Sequence, residues 1–156
     1  MQISDGGVPK LRVSGPMEVR ISGLVGDRQR DLRFHGGPDR AVCLFSQELI
    51  AVLRSEGNPI DAGTTGENLT ISGLDWRLVQ PGARLSLGGV LLEITAPAHP
   101  CKNIAGSFTD ADISRLSAKR HPGKGRMYAR VLTPGVLHVG AAVGLTPSAG
   151  PLFSLP

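Results

Sequence analysis

The residues best suited to chemistry lie in three short stretches of the 156-residue chain. The first is Ala98-His99-Pro100-Cys101-Lys102. Pro97 and Pro100 restrict the backbone, so a thiol is expected on a stiff loop just past the end of a strand. The adjoining Lys102 ammonium favours the thiolate, which is the form that acts as a nucleophile or as a ligand to a soft metal. The competing reading is a half-buried cysteine that packs as a small hydrophobe. Cys43 lies inside the apolar run 41–45 and reads as a core residue.

The second stretch is His35-Gly36-Gly37-Pro38-Asp39-Arg40. Two glycines let a ligand approach the backbone closely and expose N–H groups to an anion. His35 could orient a ligand or move a proton, and Asp39 could fix the loop; the plainer alternative is a turn with an exposed imidazole. The third combines Gly26-Asp27-Arg28, with Arg30 and Arg33 close behind, and the turn Thr64-Thr65-Gly66-Glu67-Asn68. Guanidinium groups, hydroxyls and an amide suit a phosphorylated heterocycle. Cys-x-x-Cys and His-x-x-x-His spacings are absent, which weakens the case for a structural zinc site on Cys101, His99, His35 and Asp39. The P-loop and dinucleotide fingerprints are absent too, so no ATP or NAD site is expected.

These groups need a scaffold of short strands. The chain carries 21 Gly and 12 Pro, dispersed along its length, and only 4% aromatic residues. So many breakers exclude a helical bundle, and one domain is the natural size for such a chain. Alternation or apolar runs predict strands at 8–14, 17–21, 41–45, 67–71, 84–87, 90–95, 127–133, 136–139 and 141–145. Gly88-Gly89 joins the fifth and sixth as a hairpin. Residues 96–100 should not extend a central strand, because two prolines supply no donors.

One helix should start at Ser46 and stop at Gly57, and a second should be capped by Thr109 and end at Pro122-Gly123. The polar stretch 26–39 reads as a long loop. The expected fold class is therefore mostly β, a closed or nearly closed barrel with two or so short helices. Residues 1–146 would form one domain and 147–156 a tail.

Taken in order, the blocks resemble a MOSC domain, the family named after the C-terminal part of molybdenum cofactor sulfurase. They are Gly23-Leu24-Val25-Gly26-Asp27-Arg28-Gln29, His35-Gly36-Gly37-Pro38-Asp39-Arg40-Ala41-Val42, Gly66-Glu67-Asn68-Leu69-Thr70, Pro97-Ala98-His99-Pro100-Cys101-Lys102 and Tyr128-Ala129-Arg130-Val131-Leu132. The resemblance is closest to small stand-alone bacterial members, and it implies a barrel similar to that of pyruvate kinase. It also implies binding of the molybdenum cofactor, with Cys101 as thiolate ligand to the metal and Asp27 and His35 on the substrate side. Arg28, Arg30, Arg33, Gly36, Gly37, Arg40, Thr65, Gly66, Glu67, Asn68 and Lys102 would then form the cofactor-binding surface. Relatives often carry Arg where Ala98-His99 stands, and this chain has no iron–sulfur cysteine set.

The resemblance implies reduction of N-hydroxylated bases or amidoximes with electrons from an external flavin or iron–sulfur protein. The alternative is a carrier of the cofactor, or of sulfur on Cys101, without catalysis. A nucleic-acid module is disfavoured, since the net charge is only +4 and no aromatic pair lines a strand. No secretory pattern or membrane-length apolar run is visible and the cysteines are few, so a cytoplasmic location is expected.

Overall fold

The computed structural model describes residues 1–28 and 36–149. Eleven strands are present among them: β1 Gln2–Ile3, β2 Leu11–Arg12, β3 Met17–Arg20, β4 Gly23–Leu24, β5 Val42–Ser46, β6 Leu69–Ile71, β7 Arg84–Leu87, β8 Val90–Ala98, β9 Arg126–Thr133, β10 Gly135–Leu137 and β11 Val143–Thr146. The main sheet has the order β11-β7-β8-β9-β5-β6 and curls into a half-barrel. A three-stranded sheet, β10-β3-β4, and the small β1-β2 pair complete the fold. All strand pairings among the described residues are antiparallel except β5 with β6, which are joined by an α-helix, α1 Gln47–Ser55. That arrangement is the expected use of a helix to cross between parallel strands.

Local chemistry accounts for the elements. Ser46 caps α1, its hydroxyl accepting from the Leu49 N–H at 3.2 Å, and Gly57 ends the helix at φ +90°. Ile50 is fully buried, with Leu49 and Leu53 packed against the core beside it. β7 alternates exposed and buried residues, and its hairpin with β8 turns on Gly88-Gly89 as expected. The core lies between the sheets. Val42, Leu44, Leu85, Leu92 and Ile94 fill it, and Phe45 meets Trp76 edge-on at 6.4 Å between ring centroids.

Three expectations change. First, β8 runs on through Pro97 to Ala98. β7 pairs only as far as Glu93, so Pro97 sits where one side of β8 has no ladder partner, and there a missing donor costs nothing. Second, the helix expected after Thr109 is a 3₁₀ turn at Ile113–Leu116, capped by Asp112. The Thr109 hydroxyl instead donates to the Gly57 carbonyl. Third, the strand expected over 8–14 shortens to β2, because Pro9 has no N–H and Lys10 donates its own to the Gly63 carbonyl at 2.9 Å. Residues 102–107, which carried no prediction, form another 3₁₀ turn.

The N-terminal hairpin is held against the turn at 63–68. Gln2 N–H donates to the Asn68 carbonyl at 2.8 Å, and Lys10 binds Gly63 as above. Gly63 has φ +88°, and a Cβ there would run into the Lys10 carbonyl. Gly63→Ala is therefore expected to lower stability by more than the roughly 1–2 kcal/mol of a left-handed alanine alone. Urea denaturation measures this, and a loss below about 0.5 kcal/mol would contradict the close approach.

Candidate functional site

Strand register gathers the site. In β5, Val42 and Leu44 point into the core, so Cys43 between them takes the opposite face. Cys43 pairs with Tyr128 across β9, and two residues back on the same face stands Arg126, paired with Ala98 of β8. The chain leaves β8 at Ala98 and reaches Cys101 three residues later. Cys43, Cys101, Arg126 and Tyr128 consequently line one small cavity of about 90 Å³. Thr65, Gly66 and Asn68 close it from the 63–68 turn, while Val8 and Lys10 close it from the N-terminal hairpin. A larger cleft of about 1030 Å³ adjoins it, lined by Asp5, Gly6, Arg20, Asp27, Gly36 and Gly37 among others. Arg28 lines both.

The cavity wall is polar and tightly wired. Lys10 Nζ donates to Asp27 Oδ2 at 2.6 Å, and both side chains are nearly sealed from solvent. Asp27 also accepts from Asn68 Nδ2 at 2.8 Å and from the Ser4 N–H at 2.9 Å. Asn68 Oδ1 in turn accepts from the Cys43 N–H at 3.0 Å. Both Asp27 oxygens are thus engaged, and the carboxylate holds Lys10 and Asn68 in place. Glu67 is fully buried and closes its own turn, accepting from the Gly63 N–H at 2.6 Å and the Thr65 hydroxyl at 2.7 Å. Arg126 spans the two walls: one terminal nitrogen donates to the Thr65 carbonyl and the other to the His99 carbonyl at 3.3 Å.

Burial pushes the Cys43 thiol up to about 11, an effect that the Arg126 charge only partly offsets. Burial, with the negative charge of a Cys43 thiolate as the second cause, likewise raises Tyr128 to about 12. Cys101 is half-buried at the cavity wall. The two thiols therefore differ in access, and Cys43 is hard to ionise.

Of the residues singled out from sequence, the small cavity brings together Cys101, Arg28, Thr65, Gly66 and Asn68. Asp27, Arg28, Gly36 and Gly37 line the adjoining cleft. Glu67 stands behind the turn, Lys102 is exposed on the flank of Cys101, and Arg40 lies over the Tyr128 ring at 5.8 Å; none of the three lines either recess. Asp39 pairs with Arg130 at 3.2 Å. His35, Arg30 and Arg33 lie outside the described residues. Among the described residues no cluster of three or more His, Cys, Asp or Glu side chains suited to a metal ion occurs.

Sequence reasoning missed Lys10, Arg126 and Tyr128; Cys43 is buried, as the sequence reading has it, and also lines the cavity. For the β9 pair a signal existed. Arg126, Tyr128 and Arg130 alternate with the apolar Met127, Ala129 and Val131, the pattern of a strand with one polar face.

The MOSC domain profile matches residues 31–144. YiiM of Escherichia coli is 30% identical over 142 residues, spanning 88% of this chain and 62% of the relative. YflK of Bacillus subtilis is 33% identical over 141 residues, again covering 62% of the relative. A Gibberella moniliformis protein named reductase is 28% identical over 151 residues, which is 26% of its length. The solved structure of YiiM from Geobacillus stearothermophilus superposes with a TM-score of 0.71 at 29% identity, covering 90% of this chain and 65% of that one. The chain thus spans less than two thirds of the length of these relatives. No helix among the described residues is long and apolar enough to cross a membrane.

Two outcomes follow from the wiring. Asp27→Ala strands Lys10 as a buried, uncompensated cation and should cost about 3–5 kcal/mol, whereas Lys10→Met with Asp27→Leu should recover much of the loss. Urea midpoints of the single and double variants check this. Iodoacetamide at pH 8 should label Cys101 in the native protein and leave Cys43 unlabelled until unfolding, as mass spectrometry of the two peptides would read. Cys43 labelling should rise only as pH climbs from 9 toward 11, since the thiolate is the reactive form.

Proposed function

The chain belongs to the MOSC family, and from that premise we propose that it holds a molybdenum–pterin cofactor through Cys101 and reduces N-hydroxylated small molecules. The observation that carries the reading is the Cys101 cavity itself. Three of its lining side chains, Lys10, Arg28 and Arg126, are cationic, and none is acidic. A thiol set among cations suits a soft, electron-rich metal dithiolene, and a cleft of about 1030 Å³ next to it offers room for the body of a pterin. The residues present therefore fit the group.

Each side chain has a definite part. Cys101 would supply the thiolate ligand, on a loop that Arg126 ties down through the His99 carbonyl. Arg28 stands at the junction of cavity and cleft, where its backbone N–H is anchored to the Ser4 carbonyl at 2.7 Å. Its charge can neutralise the dithiolene or a phosphate. A side chain built at Gly37, on the cleft, would meet nothing within 4 Å, so the backbone there is open to close approach. Asp27 acts through Lys10, fixing a positive charge at the cavity wall. The bound cofactor would supply two-electron redox chemistry, with electrons arriving from a separate flavin or iron–sulfur protein. The reductase name of the fungal relative agrees with redox chemistry in this family.

Protein purified from a cofactor-competent host should contain molybdenum by elemental analysis. Cys101→Ala should lose it while keeping the far-ultraviolet spectrum of the parent. Undiminished molybdenum in that variant would overturn the assignment. Loaded protein given a competent electron donor should consume an amidoxime or an N-hydroxylated base; failure across both substrate types would favour a carrier that passes the cofactor on.

A further inference from the structure

Arg126 makes no ion pair among the described residues. Its relative exposure is 6%. Its two terminal nitrogens each donate to a backbone carbonyl, and Nε is buried with no partner. A guanidinium carries five N–H donors, so this fork retains unused capacity. Burying an ionised group so incompletely satisfied is costly, and such a residue persists where a ligand completes it. The arginine lines the same small cavity as Cys101, in company with Lys10 and Arg28 and with no acidic neighbour on the lining.

We propose that Arg126 is the anchor for a small oxyanion bound beside Cys101. The chemistry required is a planar or tetrahedral group with at least two negatively charged oxygens, since a guanidinium offers paired N–H donors and each terminal nitrogen of this one spends a single hydrogen on a carbonyl. Two sources share that chemistry: the carboxylate of a substrate, or a phosphate-like tetrahedral oxyanion belonging to a bound cofactor. The assignment deepens the functional reading by naming a class of ligand for the same site. It rests on that reading only for the origin of the anion, and its test uses protein free of any cofactor.

A matched pair of alkylating reagents reads the anchor directly. Iodoacetate and iodoacetamide both transfer their methylene carbon to a thiolate and release iodide, but only iodoacetate carries a carboxylate. The ratio of their rates at one cysteine cancels differences in thiolate fraction and leaves the effect of the carboxylate. At Cys101, followed by peptide mass spectrometry, the iodoacetate-to-iodoacetamide ratio should exceed that of free cysteine in the same buffer by about tenfold or more. Arg126→Gln should return it to within about twofold of the free thiol. Arg28→Gln, which alters the cavity rim, should leave most of the enhancement.

Inorganic phosphate and acetate, added separately to the parent protein, then distinguish the sources. Stronger protection by acetate points to a substrate carboxylate, and stronger protection by phosphate to a tetrahedral group. A parent ratio no higher than that of free cysteine, or protection by neither anion, overturns the proposal whether or not the variants fold. An equal loss in Arg28→Gln and Arg126→Gln would overturn the anchoring role of Arg126. Neither result depends on molybdenum content, so failure here and failure of the cofactor assignment remain separate.

Discussion

The antiparallel pairing of β9 with β5 on one side and β8 on the other is the constraint on which the site depends. Side chains alternate across a strand, so a one-residue slip in either ladder would exchange the two faces of β9. Arg126 and Tyr128 would enter the hydrophobic core, and Met127 and Ala129 would line the cavity. The register is protected by what each face carries. Val42, Leu44, Met127, Ala129 and Val131 are all buried, and any slip would remove apolar surface from the core while burying a guanidinium in it. Cys101 depends on the same ladder, because its loop begins where Ala98 pairs with Arg126.

Around that ladder, buried polar groups do what apolar packing cannot. Gln2, Lys10, Thr65, Glu67, Asn68 and Arg126 are all buried, an unusual density for so short a stretch of fold. Hydrogen bonds link most of them into one connected set running from the N-terminal hairpin through Asp27 and Asn68 to the backbone of β5. A fully satisfied network of this kind rigidifies its surroundings, and a partly satisfied one is costly. Here the satisfied members form the frame, and Arg126, which keeps a donor without a partner, lines the cavity that the frame encloses. The asymmetry suits a protein whose folded state is completed by an anionic ligand.

The same logic gives the two cysteines different characters. Cys43 is held by a central strand, sealed from solvent and hard to ionise. Cys101 sits on a loop with solvent on one side and cations on the other. Two thiols in one cavity therefore divide into a wall and a candidate ligand. That division follows from strand against loop placement, and the thiol chemistry follows from the placement.

Much of the fold could be read from local patterns. The Ser46 cap and Gly57 stop, the Gly88-Gly89 hairpin and the alternation in β7 depend on neighbours in sequence, so they survived into the structure nearly unchanged. The family blocks identified the MOSC domain for a similar reason: they are short motifs whose order is itself a property of the chain. Cys101 stood out because two prolines and a strand end flank it.

What the sequence could not determine was which polar residues share a face across strands distant in the chain. Lys10 and Asp27 are 17 residues apart, Cys43 and Asn68 are 25 apart, and Arg126 reaches carbonyls 61 and 27 residues away. No local propensity encodes those meetings. They arise when burial of the apolar faces locks the ladders into register, and every polar side chain carried inward must then find its partner, or wait for one, in the space that is left.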